Sequence, residues 1–411
     1  MEKHILYLTY DGITDPLGSS QVLPYILGLE ALGHRFSIIS FEKTGRFAEG
    51  ETAIREILKG KNIRWVPLVY HKSPPVLSTL WDVDLLKKEM EKLHRTDPFH
   101  LMHCRSYITS LAGLSFKKKY NIPFLFDMRA FYPDERADAG LWPKNHALFG
   151  RVYRFFKKKE NDFLQNADHT VVLTQAGAKI MRDGKLTGMP FQGKLSVIPC
   201  CADMAHFNYE NIQEADKLHL WNKLNITPET FVLGYSGSVG TWYMLPEMLD
   251  FFNVLLEKKA DSIFLILSRD NAQEIKDAAI AKGISSDKMK VIPVNRVEMP
   301  VWLSVFDYSI FFILPTFSKQ ASSPTKQGEL MGLGIPVVCN ANVGDTEEIV
   351  KKSSGGIVVQ SFTANDYESA AEKCISSTAD KKQIRELGIS YYGLTDGIDK
   401  YNKIYVSLLR D

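Results

Sequence analysis

No stretch of the 411-residue chain approaches the ~20 consecutive apolar residues of a bilayer-crossing helix, which excludes a helical membrane protein. The opening, MEKHILYLTYDG, runs straight into a strand pattern without the apolar core and small-residue cleavage site of a secretory leader, so a cytoplasmic protein is expected. Cysteine is scarce and odd in number, at five: Cys104, Cys200, Cys201, Cys339 and Cys374. Three of these sit in or beside apolar strand-like runs and read as small buried hydrophobes in a reducing compartment. Cys200 and Cys201 are adjacent, lacking the CxxC or histidine spacing of zinc ligands, so no metal is expected. Repeats and low-complexity tracts are absent, and no nucleic-acid-binding motif accompanies the basic segments, so nucleic acid is not an expected partner.

What is present is ordinary globular composition, 45% hydrophobic and 24% charged, in a chain long enough for two domains. The net charge of only +2 hides an asymmetry: residues 1–200 hold 29 Lys and Arg against 21 Asp and Glu, and the remainder is acidic. Part of the excess lies in FKKKY (116–120) and RVYRFFKKKE (151–160), where lysines alternate with aromatic residues. Such a segment can lie on an anionic bilayer with rings inserted and ammonium groups at headgroup level. At helical spacing it can equally bury Val152, Phe155, Phe156 and Phe163 in its own domain and leave the lysines in water.

Short apolar runs of strand length alternate with amphipathic helical stretches from end to end. In the first half these runs begin with HILYLTY, FSIISFE and IRWVPLVY, and in the second with FVLGYSG, SIFLILS and MKVIPV. This is the βαβ pattern of parallel sheets covered on both faces, and it predicts two doubly wound α/β domains. Strand and helix alternation restarts only near Phe231, after a polar stretch at 204–218. The expected division is therefore 1–206, 207–388, and a closing amphipathic helix at 389–411 that packs back toward the first domain. Open α/β sheets bind ligands beyond the carboxyl ends of their strands, so a cleft between the domains is the expected site.

The densest motif is SSPTKQGELMGLGIPVVCN, residues 322–340. Ser323 suits an N-cap and Pro324 a first helical position, leaving the amides of Thr325 and Lys326 to face an anion with the helix dipole behind them. The Lys326 ammonium beside them favours a diphosphate. Glu329, a turn further in, suits the vicinal hydroxyls of a ribose. The pair suggests a nucleotide held at both ends, and the alternative is an ordinary capped corner.

Three further regions carry candidates. Gly18 and Ser19 follow the first strand in YDGITDPLGSSQVLPYILGLEALGH, where Ser19 or Ser20 would cap a helix and Gly18 would admit a substrate close to the backbone. FDMRAFYPDERADAGLW (126–142) crowds two arginines, three aspartates and a glutamate among aromatic residues in one long loop. There Arg129 would leave a strand end to meet a pyrophosphate or an acceptor carboxylate, while Tyr132, Asp134 and Glu135 would orient an acceptor hydroxyl. GYSGSVGTWY (234–243) has GxxGxxG spacing and no acidic residue ending the next strand, so it lacks the nicotinamide fingerprint but allows Ser238 and Gly240 to approach a phosphate.

Taken together, DPLGSSQVLPYILGLEALGH, the DMRAFYPDERADAGLW loop, VVLTQAGA, VIPCCADMAHF, PTKQGELMGLGIPVV and the closing tyrosine-rich helix resemble the glycosyltransferases of family 4, over nearly the whole length. The resemblance implies the GT-B fold, two Rossmann-like domains facing a central cleft. It implies a retaining enzyme moving sugar from a nucleoside-diphosphate donor to an acceptor, with no metal or other cofactor. Glu329 matches the family's ribose-binding glutamate, Ser323, Thr325 and Lys326 its diphosphate site, and Gly18 and Ser19 its glycine loop. Arg129 stands about where many members have a histidine near the reacting centre.

The sequence departs from the family at three places. Ala321 occupies the position of the first of the family's paired glutamates, and Ser238 and Tyr243 stand where an arginine and a lysine are usual. Lys326 and Arg129 are then the cations expected to face the leaving diphosphate. Arg129, Lys326 and Glu135 are the expected catalytic residues. The expected acceptor is a glycan or lipid-linked glycan of a surface polysaccharide or glycoconjugate, with the protein soluble or peripheral on the inner face of the cytoplasmic membrane. A nucleotide-sugar epimerase and a non-catalytic nucleotide-sugar-binding subunit are the alternative readings.

Overall fold

The computed structural model describes residues 3–410, which divide into two compact units, 3–199 with 394–410 and Cys200–Gly393. In the first, seven parallel strands, β1 (His4–Thr9), β2 (Arg35–Glu42), β3 (Ile63–Val69), β4 (Leu101–Arg105), β5 (Phe124–Asp127), β6 (His169–Val172) and β7 (Leu195–Val197), lie in the order β3-β2-β1-β4-β5-β6-β7. In the second, β8 (Phe231–Ser236), β9 (Ser262–Leu267), β10 (Met289–Ile292), β11 (Tyr308–Phe311), β12 (Val337–Asn340) and β13 (Ile357–Val359) are ordered β10-β9-β8-β11-β12-β13. Both are the doubly wound sheets that the alternation predicts.

Every residue of β1, β4, β5, β8, β9, β11 and β12 is buried, because helices cover both faces of each sheet. That is why these strands read in sequence as unbroken apolar runs. Each sheet reverses its winding beside its first strand, at β1/β4 and at β8/β11. In open sheets of this kind the carboxyl ends at such a reversal are where ligands bind.

The helix Leu394–Arg410 belongs to the first unit and buries Tyr401, Ile404, Tyr405 and Leu408. Gly28 is the notch that receives it, since a Cβ there would lie 2.2 Å from Ile398 Cδ1. Polar residues 204–218 fall inside the second unit, where Glu214–Leu224 is helical. All five cysteines are buried and none forms a disulfide. Among the described residues no helix is long and apolar enough to cross a membrane.

Candidate functional site

In the second unit the residues singled out by sequence gather at the β8/β11 reversal. The helix Thr325–Gly332 follows β11 and a short turn at Phe317–Ala321. Its N-cap is Pro324, extended at φ −69° and ψ 118°, and not Ser323. Because Pro324 is itself extended, the helix starts one position later than expected, and the Ser323 hydroxyl instead accepts from the Cys200 amide at 3.2 Å. The shift leaves the corner without a capping side chain, so the amides of Thr325 and Lys326, which no helical carbonyl can reach, stay available to an anion.

Lys326 is 8% exposed, and its Nζ has no hydrogen-bond partner among the described residues. It lies 3.6 Å from the centroid of the Tyr243 ring and 3.9 Å from that of Tyr235. Burial pushes its pKa well below the ordinary lysine value, with the Glu329 charge pulling the other way. Two rings in place of an acceptor give a cation less than its lost hydration, and an anionic ligand would supply the remainder.

The glycine loop after β8 builds this box. Gly237 sits at φ +114°, and a Cβ on it would come within 3.2 Å of Lys326 Nζ, so a side chain there would crowd the ammonium. The Val239 amide donates to Asp270 at 2.6 Å and the Tyr235 hydroxyl to the Ser238 carbonyl. Beyond Gly240, at φ +81°, the chain bonds to the continuation of β11: Met244 N–H to Phe312 O at 2.9 Å and Leu314 N–H to Trp242 O at 2.9 Å. That pairing presents Tyr243 to Lys326 and Trp242 to Lys319, whose Nζ is 3.6 Å from the indole centroid in a side chain only 5% exposed. Ser238 itself is exposed.

Glu329 is also 8% exposed, and its Oε1 accepts from Arg296 Nη1 at 2.8 Å. Arg296 follows β10, packs its guanidinium 5.3 Å from the Phe207 ring centroid, and leaves Glu329 Oε2 without a protein partner among the described residues. Sequence reasoning missed Arg296, Lys319 and Tyr235. Arg296 and Tyr235 come from strand ends far apart in the chain from Lys326, and Lys319, seven residues before it, sits in a turn outside the helix, where no helical spacing joins the two.

In the first unit Gly18 is necessary for a different reason from the one expected. A Cβ there would lie 1.9 Å from the Gly12 carbonyl oxygen, so the glycine lets the loop after β1 fold onto its own helix, Pro16–Gln21. Ser19 and Ser20 lie inside that helix and donate to the Pro16 carbonyl at 3.2 and 2.6 Å, so neither caps it; Asp15 holds the cap position. The loop is held by Glu42, whose carboxylate accepts from the Ile13 amide at 2.7 Å and the Thr14 amide at 3.2 Å.

Arg129, expected to reach out from the strand end, is instead only 8% exposed, with Nη1 3.7 Å from Asp127 Oδ2. Its φ of +60° is left-handed, a conformation that costs a non-glycine residue and is retained where surrounding structure imposes it. Asp127 also accepts from Tyr401 at 3.0 Å and meets His103 Nε2 at 3.2 Å. Burial would raise the Asp127 pKa, but Arg129 and His103 hold it below the usual carboxylate range.

Within the expected long loop, Tyr132–Asp138 is a helix, with Pro133 in its first turn and Asp134 and Glu135 at its positive end. Asp134 is buried and accepts from Tyr153 at 2.8 Å and Lys157 at 2.9 Å, so its oxygens brace the neighbouring helix. Glu135 is half-buried. Tyr132 packs edge-on against Trp142, ring centres 5.3 Å apart. Of the aromatic stripe in the next helix, Phe156 and Phe163 are buried but Phe155 is 42% exposed. Among the described residues no group of three or more His, Cys, Asp or Glu side chains is placed to hold a metal ion.

Residues 22–206 match the family model described as Glycosyltransferase Family 4. No curated protein matches the chain. Among solved structures, sucrose-phosphate synthase (tll1590) from Thermosynechococcus elongatus superposes with a TM-score of 0.73 at 13% identity, covering 100% of both chains. A glycosyltransferase from Rickettsia africae ESF-5 gives 0.72 at 15% identity, covering 100% of this chain and 99% of that one. Anabaena Alr3699/HepE in complex with UDP and glucose gives 0.69 at 14%, covering 98% and 99%. At such identities the likeness shows the fold.

Proposed function

We propose that this chain, a GT-B fold whose residues 22–206 match the Glycosyltransferase Family 4 model, is a retaining enzyme that transfers sugar from a nucleoside diphosphate to a glycan or lipid-linked glycan acceptor. The observation that carries this reading is the buried, unpartnered ammonium of Lys326 beside an uncapped helix start. A diphosphate is the ligand that answers both, by charge at Nζ and by hydrogen bonds from the Thr325 and Lys326 amides. The UDP in the HepE complex supports a uridine donor.

In this reading Glu329, oriented by Arg296, accepts hydrogen bonds from the ribose through Oε2, while Ser238 and Gly240 line the donor beside the β8 loop. Cleavage of the anomeric C–O bond is assisted by Lys326, which stabilises the charge developing on the departing diphosphate. The acceptor hydroxyl attacks from the same face and passes its proton to a leaving phosphate oxygen. In the first unit Arg129, paired with Asp127, and Asp134, paired with Tyr153 and Lys157, act in this reading as positioning residues, and Glu135 with Tyr132 is the pair offered to an acceptor hydroxyl.

A thermal-shift comparison of UDP, GDP and their sugars tests this. The matching nucleotide at ~100 times its dissociation constant stabilises by about 2.7 kcal/mol. Absence of any shift with all of them would reject the donor site.

A further inference from the structure

We infer that a cavity lying wholly in the first unit receives the anchor of an amphiphilic acceptor, a glycan carried on a long-chain lipid through a phosphate or diphosphate headgroup. The cavity, about 710 Å³, begins at the carboxyl ends of β1 to β4, where Tyr10, Lys43, Lys72 and Ser106 line it. It continues between the helices Leu77–Thr96 and Phe149–Asn166, where the lining becomes Leu80, Val83, Val152, Phe155 and Phe156. One end therefore suits charge and hydrogen bonding, and the other suits hydrocarbon.

Two observations favour a lipid over a stacked sugar. The cavity's cations outnumber its free anions: Asp15 is held by Lys43 and Arg46, and Asp11 by Arg105, whereas the side chains of Lys72 and Arg151 have no protein acceptor among the described residues. An anionic headgroup is complementary to that balance. The apolar end also runs out into water, with Leu80 54% exposed, Phe155 42%, and Leu77 and Trp81 on the same helix as Leu80 at 64% and 68%. A sugar ring leaves that surface wet, while an alkyl or isoprenoid chain covers it.

The inference rests on the proposed transfer only in naming the lipid as acceptor. Calorimetric titration of the full chain, with UDP saturating so that diphosphate cannot enter the Lys326 site, tests it with farnesyl diphosphate, farnesol and inorganic diphosphate. The expected result is farnesyl diphosphate bound about tenfold or more tightly than either fragment, and weakened about tenfold by Leu80→Asp and by Arg151→Glu. Both side chains lie at the surface, and an unchanged UDP-induced melting shift reports that the variants are folded. Equal affinity for inorganic diphosphate, equal affinity for farnesol, no farnesyl diphosphate binding, or indifference to both substitutions would each overturn the proposal. Loss of the UDP shift in the unaltered protein overturns the donor reading instead, and is read in a separate measurement.

Discussion

The ammonium of Lys326 rests 3.6 Å from the centre of the Tyr243 ring, where the family resemblance leads one to expect a second cation in place of the tyrosine. Exchanging a repelling charge for an attracting ring changes what Lys326 experiences: it is held and aimed, but stripped of water. Tyr235 closes the other side at 3.9 Å. In the proposed reaction this one buried amine would do the work of the arginine and lysine that the resemblance leads one to expect at Ser238 and Tyr243.

Replacing Lys326 with methionine, which keeps the stem's packing, should lower turnover ~100-fold or more, since a positioned donor at developing charge typically contributes about 3 to 4 kcal/mol. Steady-state release of UDP from the cognate nucleotide sugar is the measurement. A turnover near that of the unaltered enzyme would remove Lys326 from the reaction.

The same lysine predicts a protonation linkage. Its pKa in the free protein is lowered by burial, and a bound diphosphate favours the ammonium, so nucleotide binding should take up a proton. Affinity should then fall as pH rises through the interval between the free and nucleotide-bound pKa values. For the ligand-free fold the sign is opposite: below the ordinary lysine value the unfolded chain binds a proton that the folded chain holds less tightly, so this residue makes stability rise with pH. Calorimetry in two buffers of different ionisation enthalpy should register proton uptake that disappears in Lys326→Met. Equal uptake in both proteins would assign the proton elsewhere.

Glu329→Ala should weaken UDP by roughly tenfold to a hundredfold, as expected when charged hydrogen bonds worth about 1.5 to 3 kcal/mol are lost. Because Arg296 donates to Glu329 at 2.8 Å, Arg296→Ala should weaken UDP as well, and the two losses should not add in the double variant. Strict additivity would mean that Arg296 does not act through Glu329.

Two glycines in the first unit separate packing from propensity. Gly18→Ala drives a methyl group to 1.9 Å from the Gly12 carbonyl and should cost at least about 1 to 3 kcal/mol. Gly45→Ala, in a helix with nothing within 4 Å of the new Cβ, should stabilise by about 0.4 to 1 kcal/mol. Opposite shifts in urea midpoint are expected. A harmless Gly18→Ala would mean that the loop after β1 is not packed on its helix as described.

The doubly wound sheets were legible because parallel strands covered on both faces must be apolar at every position, and HILYLTY, SIFLILS and PVVCN show this without any partner in view. Lys326 and Glu329 were legible together because one helical turn relates them. Arg296 and Tyr235 were not, because strand order and not spacing along the chain brings the ends of β8, β10 and β11 side by side. Ser323 as a cap was a reasonable expectation that lost to the extended backbone of Pro324 itself and to the Cys200 amide.

By itself, then, the order of amino acids determined the alternation of buried strands with helices and put Lys326 and Glu329 one turn apart on one helix, since these depend on residues within a turn or a strand of one another. Only the tertiary structure decided how each charge is paired: in the second unit it buried Lys326 between two rings and tied Glu329 to Arg296, and in the first it turned Arg129 onto Asp127. Solvation and pairing of charge depend on neighbours that the fold brings from distant parts of the chain, and those neighbours leave no local mark in the sequence.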